Sequence, residues 1–316
     1  MGMSERYDVL VAGEYYCDLI FAGLDRLPTL GHEVVASGLT TRPGGCYNMA
    51  LASTRLGLRT AWACDFGTDL FSRIVLDTAG DEGLDPVAFR KLKQPAPMVS
   101  AAFTHSRDRG FITHRGAAIV PPDAGLLARL EPRWLLQSFR HSPDWLRFIR
   151  AARDGGVQIF GDCSGETATL DTPGVREFIG LCDVFSPNDA EAMQLTRCAT
   201  AEAALAVLAE MAPAVLVKRG AGGVSAWLAG QRYEEAAPSV DVVDTVGAGD
   251  AFAAGYIAAA LAGLPIAERL RNAVACGTLS TTGAGSSANP TASELSAFVL
   301  QSFPPSVGRN GLTSLS

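Results

Sequence analysis

Short apolar runs bounded by polar or glycine residues recur along the chain, and segments with helical spacing separate them. YDVLVAG (7–13), TAWACDF (60–66), RWLLQSF (133–139), VQIFGD (157–162), CDVFSPN (182–188) and AVLVKRG (214–220) read as strands. Their apolar residues are continuous rather than alternating, as in strands buried on both faces of a parallel sheet. GCYNMALASTRLGL (45–58) has the spacing of a helix closed by Gly57, and another helix is expected from Phe71 to about Ala79. This alternation predicts an α/β fold, a mostly parallel central sheet flanked by helices.

Two stretches break the pattern, 14–44 and about 95–117. They contain VVASGL and MVSAAFTHSRDRGFITHRG, the second expected to be a hairpin turning at Ser106 to Gly110, and neither holds a helix that could complete a crossover. Together they predict a small discontinuous β-sheet projecting from one domain that spans 1–316, either a lid over a cleft or a dimerisation arm.

Composition narrows the partners. The 316 residues are 48% hydrophobic and 19% charged, a globular balance, and the net charge of -7 comes without a long basic run. Nucleic acid and anionic membrane are therefore not expected as partners. The amino terminus, MGMSERYDVLVAG, carries charges where a signal peptide needs an apolar core, and no span reaches the roughly 20 apolar residues of a membrane helix, so a cytoplasmic location is expected. Seven cysteines without a C-x-x-C pair and four histidines without ligand spacing point to reduced, buried thiols and no structural zinc. The polar tail after Pro304 is expected to be peripheral.

The densest chemistry lies in DTVGAGDAF (244–252). Val240 and Val242 alternate before it like an outer strand, and AFAAGYIAAALAG after it is helix-forming, with Gly263 and Pro265 at its end. Gly247 and Gly249 are then expected at a strand-to-helix turn whose outward N–H groups favour an anion. Asp250 would sit in the first helical turn. It reads either as a carboxylate stabilising the helix dipole or as a base beside the anion site. A dinucleotide fingerprint fails at its sixth position, Phe252.

DTVGAGDAF closely resembles the carboxy-terminal signature of the ribokinase-like sugar kinases, the PfkB family of carbohydrate kinases. PGGCYNMALASTRLG (43–57) resembles that family's amino-terminal signature, and Asn188-Asp189-Ala190-Glu191 its N-x-x-E tetrad. The resemblance implies a ribokinase-like fold with a β-sheet lid and ATP-dependent phosphorylation of a primary hydroxyl on a sugar or sugar-containing small molecule. A nucleoside or sugar-acid kinase and a non-catalytic ligand-binding member are the alternatives.

The same resemblance implies roles. Asp250 is the catalytic base, and the amides of Gly247, Ala248 and Gly249 stabilise the transferring group. Asp18, Gly44, Gly45 and Asn48 contact the acceptor. Lys218, Gly220, Gly223, Asn272 and Gly283 belong to the ATP site, with no P-loop in the sequence. Asn188 and Glu191, which otherwise read as a helix cap with a solvated glutamate, order Mg2+, mostly through water. Asp244 shapes the turn and is a candidate for holding a monovalent cation such as K+. Cys46-Tyr47 departs from the small residues typical of ribokinases, so Tyr47 is expected to reshape or narrow the sugar site, while Phe103, Phe111, Thr113, His114 and Arg115 face either the sugar or solvent and a partner subunit. Pairing of lid sheets implies a homodimer.

Overall fold

The computed structural model describes residues 6–105, 108–163 and 167–303. The expected turn residues Ser106 and Arg107, and the tail from Pro304, lie outside the described residues. The first half contains β1 (Val9–Ala12), β2 (Tyr15–Ala22), β3 (Gly38–Gly45), α1 (Cys46–Arg55), β4 (Thr60–Phe66), α2 (Leu70–Asp81), β5 (Phe89–Lys91), β6 (Met98–His105), β7 (Asp108–Arg115) and α3 (Gly125–Leu130). It continues through β8 (Trp134–Ser138), α4 (Pro143–Asp154), β9 (Gln158–Asp162), α5 (Val175–Leu181), β10 (Val184–Ser186), α6 (Asp189–Thr196) and α7 (Ala201–Ala209). The last third holds β11 (Ala214–Lys218), β12 (Val224–Leu228), β13 (Gln231–Glu235), α8 (Ala248–Leu261), α9 (Ile266–Ser280) and α10 (Ala292–Ser302).

Nine strands form the main sheet in the order β13-β12-β11-β10-β9-β8-β1-β4-β5. The strands from β11 to β5 are parallel, and β12 and β13 close the other edge as antiparallel hairpins. The continuous apolar runs follow from burial on both faces. Leu10, Ala12, Leu135, Ile159 and Phe185 face the layer of α3 to α7, whereas Val9, Val11, Leu136, Phe160 and Leu216 face α1, α2, α8 and α9. No helix among the described residues is long and apolar enough to cross a membrane.

A second sheet, ordered β3-β2-β6-β7, is made from the two irregular stretches. β2 follows β1 after only Gly13 and Glu14, and β3 runs straight into α1, so this sheet is rooted at the carboxyl ends of the main strands. Its registers place Asp18 opposite Arg42 and Ser100, Ile20 beside Ala102, and Phe111 beyond Ala102. That row is one face. Leu19, Phe21, Leu39, Phe103 and Ile112 form the other, by the two-residue period of strands.

Three local expectations change. VVASGL contributes only its last residues to β3, and EYYCDLIFA supplies β2 instead. Gly110 lies within β7 rather than in the turn, because the pairing of β6 with β7 continues to His105 and Asp108; the Phe103 ring opposite it occupies the space a Cβ would need, 2.3 Å away. The segment around Val240 and Val242 is not a strand. β13 is already the sheet edge at Glu235, so the chain from 236 to 247 runs on without a partner strand, with Val242 and Val243 exposed.

Leu136, fully buried at the centre of the main sheet, measures how tightly the two layers are joined. Leu136→Ala is expected to lower the unfolding free energy by about 3 kcal/mol in urea titration. A loss below about 1 kcal/mol would mean the site collapses around the deletion.

Candidate active site

The carboxyl ends of the parallel strands converge on one crevice. Strand order reverses between β1 and β8, which opens a cleft beyond their ends. Glu14 follows β1, Arg140 follows β8, Asp162 ends β9 and Lys218 ends β11. The amino termini of α1 and α8 point into the same region, bringing Asn48 and Asp250.

Gly247 begins α8 with φ 83°, a left-handed conformation that a side chain would strain. Asp244 pins the turn before it. One carboxylate oxygen accepts from Val246 N and the other from Gly285 N, both at 2.9 Å. The Ala248 N–H donates back to Thr245 O at 3.3 Å. This leaves the amides of Gly249 and Asp250 as first-turn donors without intrahelical acceptors.

Asp250 shares its surroundings with Asp162, Lys218 and Asn48. Burial, reinforced by the Asp162 charge, pushes its carboxyl up to about 7, while Lys218 and a hydrogen bond from Asn48 pull the other way. Lys218 and Asp162 form an ion pair whose side chains are only 15% and 8% exposed. Burial alone would drive the Lys218 ammonium to lose its proton. Asp162, with Glu191 and Asp250 behind it, outweighs that and holds its proton affinity above the ordinary lysine range. The Asp162 carboxyl is itself pushed up by burial against the pull of Lys218. Asp162 carried only a strand assignment in the sequence. Its signal was an aspartate closing a buried apolar run, VQIFGD, at the carboxyl edge of a parallel sheet.

On the α8–α9 side a cavity of about 380 Å³ opens, and among the described residues Lys218 is the one charged side chain that lines it. Gly220 and Gly223 of the β11–β12 turn, Val242, Phe252 and Thr278 also line it. Asn272 does not. On α9 the residues facing the cavity are Val274, Gly277, Thr278 and Thr281, and Asn272 points elsewhere, donating to Glu268 O at 2.8 Å. Gly283 packs against Ala288 in the following loop and is likewise absent from the lining.

On the small-sheet side, Asp18, Ile20, Arg42, Asn48, Phe111 and Asp244 surround a small pocket. Burial raises the Asp18 carboxyl to about 6. Gly44 is small because of Asp18, whose Oδ2 would lie 2.4 Å from a Cβ there; Gly45 caps α1 with φ 67°. Beside them a hydrogen-bonded line crosses from the small sheet to the body. Arg115 Nε donates to Tyr16 OH at 2.8 Å, Tyr16 OH donates to Glu14 at 3.3 Å, and Arg140 donates to both Glu14 oxygens at 2.6 Å. Tyr47 takes no part. It is 1% exposed and packs edge-on against Trp62 in the core, so it cannot narrow the pocket. Phe111, Thr113 and Arg115 share the pocket face of the sheet, while Phe103 and His114 belong to the opposite one.

Asn188 and Glu191 form a reciprocal capping box at α6, Glu191 N donating to Asn188 Oδ1 at 2.8 Å and Asn188 N to Glu191 Oε2 at 2.7 Å. No cluster of three or more His, Cys, Asp or Glu residues suited to a metal occurs among the described residues.

Residues 8–292 match the pfkB family of carbohydrate kinases. The chain is 28% identical to ribokinase from Arabidopsis thaliana over 293 residues, 86% of this chain and 75% of that one. The structure of that ribokinase complexed with ribose and ATP superposes with a TM-score of 0.82 at 22% identity, covering 93% of this chain and 99% of the other. Fructoselysine 6-kinase from Shigella flexneri is 33% identical over 243 residues, 74% of this chain and 87% of its own. A putative ribokinase II from E. coli, solved with ATP and Mg2+, superposes with a TM-score of 0.77 at 23% identity over 93% of this chain and 99% of its own. The chain belongs to the pfkB family and is a carbohydrate kinase, a phosphotransferase with an alcohol acceptor, of ribokinase-like fold with a small β-sheet lid.

Asp18 binds its proton more tightly in the folded protein, near pH 6, than an unfolded aspartate near 3.9. The fold therefore loses stability as pH rises through the window between those values. Asp18→Asn removes that loss. Urea unfolding is expected to show the variant about 1–2 kcal/mol more stable than the parent at pH 7.5 and no more stable at pH 4. Equal stabilities at both pH values would mean that Asp18 is solvated.

Proposed function

We propose that this member of the pfkB family transfers the γ-phosphoryl group of ATP to a primary hydroxyl of a sugar held between Asp18 and Asn48. One observation carries the reading. Asp250, in the first turn of α8 directly after the glycine turn, is hydrogen-bonded to Asn48 of the acceptor pocket and has a proton affinity near neutrality. At that affinity a base can both accept the hydroxyl proton and be ionised at working pH. As the hydroxyl oxygen bonds to the γ-phosphorus, its proton passes to Asp250 and the bond to the β–γ bridging oxygen breaks, releasing ADP. The amides of Gly249 and Asp250, with Gly247 shaping the turn, would face the transferring group, and Lys218 would meet the phosphates from the other side. The acceptor contacts would fall to Asp18 and Asn48, with Gly44 and Gly45 giving the space.

The 380 Å³ cavity suits the nucleoside part of ATP, its apolar walls meeting the base and the turn at Gly220 and Gly223 the phosphates. Mg2+ would neutralise the phosphate charge. Asn188 and Glu191 are largely occupied in capping α6, which fits an outer role through water better than direct ligation. For a monovalent cation, Asp244 accepts from Gly285 N, at the start of the short turn that ends at Asn289, whose buried side-chain oxygen and nitrogen have no hydrogen-bond partner among the described residues. That donor set fits K+, which would brace the turn rather than enter the transfer. The exposed Leu39 and Ile112 on the outer face of the small sheet support a homodimer through the lid.

Arg42 lines the acceptor pocket and has no carboxylate partner among the described residues, which also favours testing acidic acceptors. A screen of D-ribose, D-fructose, fructoselysine and 2-keto-3-deoxygluconate with ATP and Mg2+ identifies the acceptor. Asp250→Asn is expected to lower kcat by about a thousandfold while ATP still raises the melting temperature. Turnover within tenfold of the parent would remove Asp250 as the base.

A further inference from the structure

We infer that Asp162 is a positioning residue for phosphoryl transfer: its ion pair tethers the Lys218 ammonium at the mouth of the nucleotide cavity, against Gly249 and beside Asp250. The inference rests on the function proposed above and concerns a residue outside the motifs that led to it.

The fold sets up the contact. Asp162 and Lys218 end strands separated by β10, and strands two apart lie roughly 9–10 Å from each other. A lysine side chain must cross the end of β10 to reach the aspartate, and it does so in this structure. Lys218 otherwise has a long flexible stem and three rotatable donors, with nothing to choose one direction. The pair removes that freedom. A Cβ built on Gly249 would lie 3.2 Å from Lys218 Nζ, so the ammonium rests against the glycine whose amide faces the transferring group. A phosphate arriving there meets a cation already in place, in surroundings where charge is weakly screened.

The arrangement also acts on the base. Asp250 faces Asp162 on β9, Lys218 on β11 and the neutral amide of Asn48 on α1. The Cys46 thiol of α1 lies nearby with Glu14 and Arg140 around it, and Glu191 of α6 acts on Lys218. Of these groups, Asp162 disfavours ionisation of Asp250 and Lys218 favours it. Removing one or the other should therefore move the base in opposite directions, while a loss of kcat with ATP affinity retained is what separates positioning from mere proximity.

The test compares Asp162→Asn, Lys218→Met, the double variant and Asp250→Asn, using ATP with the fastest acceptor from the screen. ATP affinity is read separately by calorimetry. Asp162→Asn is expected to lower kcat at least tenfold without weakening ATP binding, and to shift the rising limb of kcat/KM by about one unit to lower pH. Lys218→Met should weaken ATP binding and shift the limb to higher pH. The charge-balanced double variant should return the limb to within half a unit of the parent but keep the low kcat, and it carries the test if a single variant fails to fold. Limbs that stay in place, or shift the same way in both single variants, overturn the inference, as does a double variant with parental kcat. If Asp250→Asn retains turnover, the proposed function fails instead; if it is inactive while Asp162→Asn behaves as the parent, the inference alone fails.

Discussion

Two carboxylates and one ammonium occupy a region where water is scarce, and the organisation of the crevice depends on how their charges balance. Asp162 and Lys218 neutralise each other, which makes their burial affordable. Asp250 then stands as the remaining acid, held near neutrality by burial and by the Asp162 charge. Without Lys218 the two carboxylates would face each other, and without Asp162 the ammonium would be drawn to Asp250. The parallel sheet makes this possible because its strands deliver their terminal residues to one edge.

The two sides of the crevice are built differently. On the α8–α9 side the walls of the cavity are mainly apolar, and charge is concentrated at Lys218. On the small-sheet side polar groups are dense. Asp18 lies over Gly44, Ser100 and Thr113 hydroxyls meet at 2.9 Å, and the line from Arg115 to Arg140 ties the small sheet to the body.

Much of the fold was legible because burial on both faces leaves a continuous apolar signature. β1, β4, β8, β9, β10 and β11 each fall within the runs read as strands. The unpaired segment before α8 misled because alternation of Val240 and Val242 resembles a strand, while strand formation needs a neighbouring edge that local sequence does not supply. Tyr47 misled for a related reason. Its place after the glycine pair suggested the pocket, but helix geometry turns it 100° from Asn48 and into the core beside Trp62. Asn272 was displaced from the cavity by the same periodicity.

By itself the sequence determined the α/β class, the two β excursions and the glycine turn ahead of Asp250, because these depend on local patterns of burial and backbone freedom. It also brought together the three motifs whose resemblance identified the family. Only the tertiary structure decided that Asn48 bonds to Asp250 and that Asp162 meets Lys218. Those contacts join residues from different strands and helices. The electrostatics of Asp250 depend on distance and burial, and neither is encoded by spacing along the chain.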